Sequence, residues 1–280
     1  MVIKKKINII IFGASGSIGI SIARKYYRNG HNLYLYLKSK KKIPYIKKQF
    51  PKKLDQIIKF KYIDLTNIKR LKKKLNQDKA VFMKADILIN TVGEQGEINN
   101  FFKLNIDNFV KTFNINFFSY IYLFKNIYPF IKKNKDLLII LFSGGGVTSL
   151  RTNFSPYSLS KIALVKLVEI LSKEIKNKSI RINSISPGII NSKMTQKILK
   201  IESSLIKNDE LVNVRKQIKY SDKSLNKVFN LIEFLYSKKG KSISGKMISS
   251  RWDNFKDWDK EKIKKINKND IYTLRRKIIL

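Results

Sequence analysis

The segment SPYSLSK, residues 155–161, sets a phenol, Tyr157, four positions ahead of an ammonium, Lys161. On a helix four residues make about one turn, so the two Cβ atoms stand roughly 5–6 Å apart on one face. A free tyrosine ionises near pH ~10, and a nearby positive charge favours the phenolate. A phenol brought closer to neutral pH is a workable proton donor and acceptor. The bland alternative is an amphipathic pair at a helix start, because Y-x-x-x-K arises readily by chance in a chain with 13 Tyr and 59 Lys plus Arg. The surroundings decide between the two.

Those surroundings alternate strand and helix. INIIIF (7–12) is a continuous apolar run of the kind buried on both faces of a parallel sheet. GASGSIG (13–19), a helix ending at Gly30 and the strand HNLYLYLKS (31–39) complete a βαβ unit. FKYIDLT (60–66), ADILINTVG (85–93), DLLIILFSGGG (136–146), SIRINSISPG (179–188) and GKMISS (245–250) read as further strands. Helices are predicted at 67–75, 106–133, 155–177 and 224–237, the third opening on a Ser-Pro pair. Residues 189–221 carry no strong pattern and read as a mobile loop. The alternation predicts an α/β fold: a Rossmann-type doubly wound parallel sheet in three α/β/α layers, in one domain over 1–250 with an extension at 251–280. Ligands of such sheets bind outside the carboxyl ends of the strands. Gly13, Lys38, Asp64, Asn90, Ser143 and Pro187 all fall at those ends and so form one rim.

The glycine turn after the first strand suits a pyrophosphate, because Gly13, Gly16 and Gly19 let backbone N–H groups approach it at a helix N-terminus. A purely structural turn would use the same residues. The end of the second strand discriminates between nicotinamide cofactors, an acid there bonding the ribose 2′-hydroxyl and a base accommodating a 2′-phosphate. Here LYLYLKSKKK offers Lys38, Lys40 and Lys41 and no acid, so NADP(H) is preferred, with NAD(H) the alternative.

Composition excludes several other chemistries. The absence of cysteine removes disulfides and thiolate metal sites, and a single histidine, His31, argues against a histidine-built metal site or a Ser-His-Asp triad. Hydrophobic residues at 43% supply a sizeable core. No run of about 18 apolar residues offers a membrane span, and the chain is expected to be cytoplasmic. The net charge of +39 has two readings. Clustered Lys and Arg would favour a polyanion, but these lysines are scattered, as in Lys4 to Lys6, Lys72 to Lys74, Lys132 and Lys133, among abundant Ile and Asn. A/T-rich codons give that composition without a partner, and no nucleic acid is expected.

With GASGSIG, ADILINTVG, FNINFF, LFSGGG, SPYSLSK and NSISPG in that order, the chain resembles the short-chain dehydrogenase/reductase family over residues 7 to 250. It looks most like bacterial members with an SGGG serine strand and a tail such as GKMISSRWDNFKDW. The resemblance implies reversible hydride transfer between NADP(H) and a small-molecule carbonyl/alcohol pair. By motif, Ser143 would bond the substrate oxygen, Tyr157 exchange the proton, Lys161 bond the nicotinamide ribose, and Asn116 hold a water that links Lys161 to solvent. Gly13, Ser15, Ser17, Ile18 and Gly19 would carry the pyrophosphate; Lys38 the ribose end; Asp64 and Leu65 the adenine; Asn90 and Gly93 the adjoining ribose. Pro187, Gly188, Ile190 and Ser192 would face the nicotinamide. No metal is implied.

Three departures stand out. The family's second glycine falls at Ser17; NNAG appears as NTVG at 90–93; and Ser143 lies 14 residues before Tyr157 where 13 is commoner, placing Gly144 in that register. Lys193, Lys197, Lys200 and Lys207, in the segment that the resemblance makes the substrate loop, point to a phosphorylated, nucleotide-linked or carrier-bound substrate. Two competing functions remain: a cofactor-binding regulatory or assembly protein without turnover, and a nucleic-acid binder with steep salt dependence. Trp252 and Trp258 in the tail suit packing across a subunit contact, and a homodimer or homotetramer is expected.

Overall fold

The computed structural model describes residues 5–132, 135–201 and 203–276. Lys4, Lys133 and the last four residues of the tail, to which parts of the sequence reading apply, lie outside the described residues. In chain order the elements are β1 (Asn8–Phe12), α1 (Ser17–Arg28), β2 (Asn32–Leu37), α2 (Ile43–Lys47), β3 (Ile58–Tyr62), α3 (Ile68–Gln77), α4 (Lys79–Lys84) and β4 (Ile87–Asn90). They continue with α5 (Ile106–Phe113), α6 (Ser119–Ile127), β5 (Leu137–Phe142), α7 (Ser155–Glu174), β6 (Ile180–Ser186) and α8 (Lys193–Ile198). The last are α9 (Asn208–Ile218), α10 (Ser221–Tyr236), β7 (Met247–Ser249) and α11 (Lys260–Lys268).

The strands form one sheet in the order β3-β2-β1-β4-β5-β6-β7, every neighbouring pair parallel. Side chains alternate across a strand, and β1 shows it: Ile9 and Ile11 enter one core with α1 and α10, while Ile10 and Phe12 enter the other with α3, α6 and α7. Two helical layers therefore cover a sheet that is apolar on both faces, as the continuous runs predict. Strand order reverses between β1 and β4, and the crevice at that switch point is where an open α/β sheet binds its ligand.

Several segments differ from the sequence reading. The helix expected at 106–133 is interrupted by a π turn, Asn114–Phe118, and α6 gives way to a 3-10 turn at Tyr128–Phe130, where Pro129 removes a helical N–H. Residues 189–221 are not a patternless loop: they hold α8 and α9. Ser192 caps α8 by accepting the Thr195 N–H at 3.1 Å, and Ile198, Ile206 and Leu211 bury themselves against Phe154 and Ile98. These helices are too short to show a clear period. Asp64 lies two residues past the end of β3 rather than on it. In the tail, Trp258 is fully buried in its own chain, edge-on to Phe234 at 5.9 Å and stacked on Tyr272 at 5.1 Å, whereas Trp252 is 75% exposed.

Candidate active site

At the carboxyl end of β1 the chain turns through Gly13 at φ +74°, a conformation open chiefly to glycine. A Cβ there would lie 2.7 Å from Thr91 Oγ1, and one on Gly19 would lie 2.6 Å from the Gly13 carbonyl oxygen. Both glycines thus close the turn against α1 and β4. Gly16 is the N-cap of α1, without a side-chain cap, and Ser17 is the first helical residue. With Gly16 serving as cap, a serine at 17 leaves the turn intact. The uncapped N-terminus keeps unsatisfied N–H groups and a partial positive charge beside the crevice.

That crevice, about 210 Å³, is lined by Gly13, Ser15, Gly16, Lys38, Asp64, Leu65 and Gly93 among others. Ser17, Ile18, Gly19 and Asn90 are not part of its lining. Lys38 Nζ is 3.2 Å from Asp64 Oδ2, and Asp64 Oδ1 accepts the Thr66 N–H at 3.0 Å and its hydroxyl at 2.6 Å. Burial pushes the Asp64 carboxyl up, but Thr66 and Lys38 together outweigh it and hold the group below its usual range. The lining also includes Tyr36, Thr66, Thr91, Val92 and Ile115, which the motif reading missed. Their signal is position alone: Tyr36 is the penultimate residue of β2, Thr91 and Val92 follow β4, Thr66 lies in the turn after β3, and Ile115 is in the π turn.

Tyr157 and Lys161 occupy the first two turns of α7, both buried. Burial pushes the Tyr157 phenol up, and the charge that opposes it is the Arg151 guanidinium. Lys161, expected to acidify the phenol directly, instead donates to the Phe142 carbonyl at 3.0 Å, with Nζ 5.8 Å from the Tyr157 ring centre. Its own burial pulls its pKa down to about 8. A phenol is thus held protonated beside a cation that burial disfavours.

Asn116 sits in the π turn, a local widening common at functional sites. Its Oδ1 accepts the Glu94 N–H at 2.8 Å while Nδ2 donates to the Glu94 carbonyl at 2.9 Å and to Ser160 Oγ at 3.1 Å. A Cβ on Gly93 would stand 3.3 Å from Asn116 Oδ1 and 3.4 Å from Lys161 Nζ, so these three residues meet at one point. Ser143 follows β5 and anchors by donating its N–H to Ile185 at 3.0 Å, while its hydroxyl is buried without a hydrogen-bond partner. Next to it, a Cβ on Gly144 would overlap the Tyr157 hydroxyl, and one on Gly146 would overlap the Ser158 hydroxyl. The glycines of SGGG therefore seat the first turn of α7. The one-residue offset of Ser143 persists in the structure: Gly144, in the register 13 before Tyr157, is the residue that abuts the phenol.

Beyond β6, Pro187 leads into Gly188 at φ +73°, followed by buried Ile190, whose carbonyl accepts the Thr195 hydroxyl at 2.6 Å. Ser192 serves as cap of α8. Of the four lysines in this covering segment, Lys197 donates to the Gly96 carbonyl at 3.3 Å. Among the described residues there is no cluster of metal-ligating side chains, and no helix is long and apolar enough to cross a membrane.

A family profile described as short chain dehydrogenase matches residues 7–203. The fatty acyl-CoA reductase of Acinetobacter baylyi is 29% identical over 187 residues, covering 66% of this chain and 63% of that protein. The (S)-acetoin-forming diacetyl reductase of Staphylococcus epidermidis is 27% identical over 248 residues, covering 85% of this chain and 95% of that protein. Among solved structures, ElxO with NADP bound superposes with a TM-score of 0.70 at 21% identity, covering 88% of this chain and 97% of the other. A parallel sheet in this strand order, a glycine turn at its switch point, and a buried tyrosine and lysine one turn apart, together with that profile match, establish that the chain belongs to the short-chain dehydrogenase family of oxidoreductases.

Proposed function

We propose that the protein catalyses reversible reduction of a small-molecule carbonyl to an alcohol with NADP(H), Tyr157 delivering the proton. The observation that carries the reading is the seating of the Tyr157 hydroxyl against Gly144, with Lys161 one turn away and the crevice of the glycine turn alongside. The residues fit a dinucleotide. An uncapped helix N-terminus suits a pyrophosphate, and the crevice between Gly13, Lys38 and Asp64 suits an adenosine end. When bound, a reduced nicotinamide would supply the hydride for the carbonyl carbon. The chain does the rest: Ser143 offers its unpartnered buried hydroxyl to the carbonyl oxygen, and Tyr157 gives that oxygen its proton. Lys161 holds the ribose and Asn116 fixes the 93–94 turn beside it.

Lys38, one residue past β2 and 65% exposed, supports NADP(H) over NAD(H), because a base at that strand end accommodates a 2′-phosphate; its ammonium, paired with Asp64 at 3.2 Å, would exchange that carboxylate for the phosphate or be shared between them. Fluorescence titration with NADPH and NADH in parallel tests this. NADPH should bind at least about tenfold tighter than NADH, and Lys38→Asp should reverse the order, since each ~1.4 kcal/mol is tenfold. Failure to bind either nucleotide would remove the enzyme reading, and unchanged preference in the variant would remove the role of Lys38.

Assembly into a dimer or tetramer fits the outer surfaces of α5 and α7. Ile106 and Val110 on α5, Phe118 in the π turn, and Leu159 and Ile170 on α7 all remain exposed, on elements that pack against one another, and apolar surface concentrated in one region suits an interaction site. A second copy is the natural occupant, pairing the face with itself about a two-fold axis. Light scattering at micromolar concentration should give a multiple of the chain mass, and the Val110→Lys, Leu159→Lys double variant should give a single chain. A wild type with the mass of one chain would refute the assembly.

A further inference from the structure

We propose that Arg151 is a positioning residue for this reaction: it ties the α8–α9 cover to the serine loop and so to the turn that carries Tyr157. The inference rests on the site assignment above and goes beyond it, since no motif reading singles out Arg151 or Glu210.

Arg151 lies in the connection from β5 to α7. Its Nε donates to Glu210 Oε1 at 2.7 Å and its Nη2 donates to the same oxygen, which joins this loop to the first turn of α9. On its other side the guanidinium packs on the catalytic loop. Its central carbon is 3.5 Å from the centre of the Phe154 ring, a Cβ on Gly145 would stand 3.7 Å from Nη1, and one on Gly146 would stand 3.4 Å from the Arg151 Cβ. Phe154 is the N-cap of α7 and buries its ring among Ile98, Ile198, Ile206 and Leu211. Asn153, at φ +66°, adds a second tie by donating Nδ2 to the Leu205 carbonyl at 2.8 Å, while its own carbonyl accepts the Asn99 N–H at 3.0 Å.

An ion pair in open water contributes little. This one is largely withdrawn from it, with side chains 14% and 27% exposed, and its planar fork stacked on an aromatic ring is a geometry lysine does not reproduce. Substrate-induced closure of a cover commonly completes a catalytic site. Here Glu210, on α9, is paired with Arg151, which bears on Gly145 and Gly146, the glycines flanking and seating the first turn of α7. The cover and the catalytic tyrosine therefore settle together.

The test compares Arg151→Ala, Arg151→Lys, Glu210→Gln, Glu210→Ala, the Arg151→Ala, Glu210→Ala double variant and the charge-exchanged Arg151→Glu, Glu210→Arg pair, all as full chains. Hydrogen–deuterium exchange is read over 143–158 and 206–218, with the β1–α1 segment as internal control, and turnover is read with NADPH and diacetyl as the carbonyl probe. Glu210→Gln, although on the cover, should speed exchange in 143–158 severalfold, and the exchanged pair should restore protection in both segments. In turnover, Glu210→Gln should raise KM about fivefold with kcat within twofold, whereas Arg151→Ala should also lower kcat about tenfold, only partly rescued by Arg151→Lys. Exchange in 143–158 indifferent to Glu210, or strictly additive effects of Arg151→Ala and Glu210→Ala, would overturn the proposal. Exchange reports on the tie even with a carbonyl the enzyme does not accept. NADPH binding by the wild type separately reports whether the underlying site assignment stands.

Discussion

Tyr157→Phe is expected to lower turnover about 10³-fold while leaving NADPH affinity within about twofold, because a positioned general acid contributes on the order of 10²–10⁴ in rate. The substitution removes one oxygen and keeps the ring that fills the space beside Gly144, so neither packing nor the dinucleotide crevice is disturbed. Burial keeps the phenol protonated in the free protein, which is the form that reduction consumes. The reverse reaction needs the phenolate and is favoured only at higher pH. The measurement is NADPH oxidation with any carbonyl that the wild type reduces, alongside a fluorescence titration of both proteins. A Phe variant retaining more than a tenth of wild-type turnover would show that another group donates the proton. A variant that had lost NADPH binding would show that the phenol's role is structural.

How much of this was legible beforehand varies with the physics involved. β1 and β5 are apolar on both faces, and their runs INIIIF and LLIILF mark them without ambiguity, whereas β6, IRINSIS, alternates Ile180 and Ile182 with Arg181 and Asn183. The glycine turn and the Tyr157–Lys161 spacing were readable because each follows from local backbone geometry. What local pattern does not carry is which atoms meet across the fold. The partner of Lys161 is a main-chain carbonyl on β5, 19 residues away, and the charge acting on Tyr157 comes from Arg151 in a loop without a motif. The π turn that places Asn116 adds an extra residue to a helix whose stretch FNINFF is aromatic and aliphatic apart from Asn114 and Asn116, and nothing in that composition announces the widened turn. α8 and α9 were missed because their order depends on burying Ile198, Ile206 and Leu211 against Phe154, a contact between segments far apart in sequence. Trp258 reads as an aromatic amid charges, and only the return of the tail beneath α10 makes it core.

Lys161→Met is expected to abolish turnover yet stabilise the fold at neutral pH. Lys161 is 3% exposed and its burial pulls the pKa down to about 8, against about 10.4 for a lysine in the unfolded chain. Below about pH 8 both folded and unfolded chains carry the proton, and the folded state bears the full cost of a buried ammonium, on the order of 3 kcal/mol at ~1.4 kcal/mol per pKa unit. Between about pH 8 and 10.4 the unfolded chain binds more protons than the folded one, so stability from this residue rises with pH and is complete only above the unfolded value. Methionine removes the charge and leaves the Phe142 carbonyl without its donor, a loss of about 1–3 kcal/mol. The balance at pH 7 is a gain of about 1 kcal/mol, or roughly 2–4 °C in Tm for a domain of this size. Thermal melts of both proteins at pH 7 and pH 10 check the sign: the variant should lead at pH 7 and fall level or behind at pH 10, with background titrations cancelling in the difference. A variant less stable at pH 7 would mean that the Phe142 contact outweighs the cost of the charge. A lead that did not shrink by pH 10 would mean that Lys161 keeps its ordinary pKa. If the expected pattern appears with turnover lost, the buried ammonium is retained at the expense of stability, which places its value in the reaction rather than in the fold.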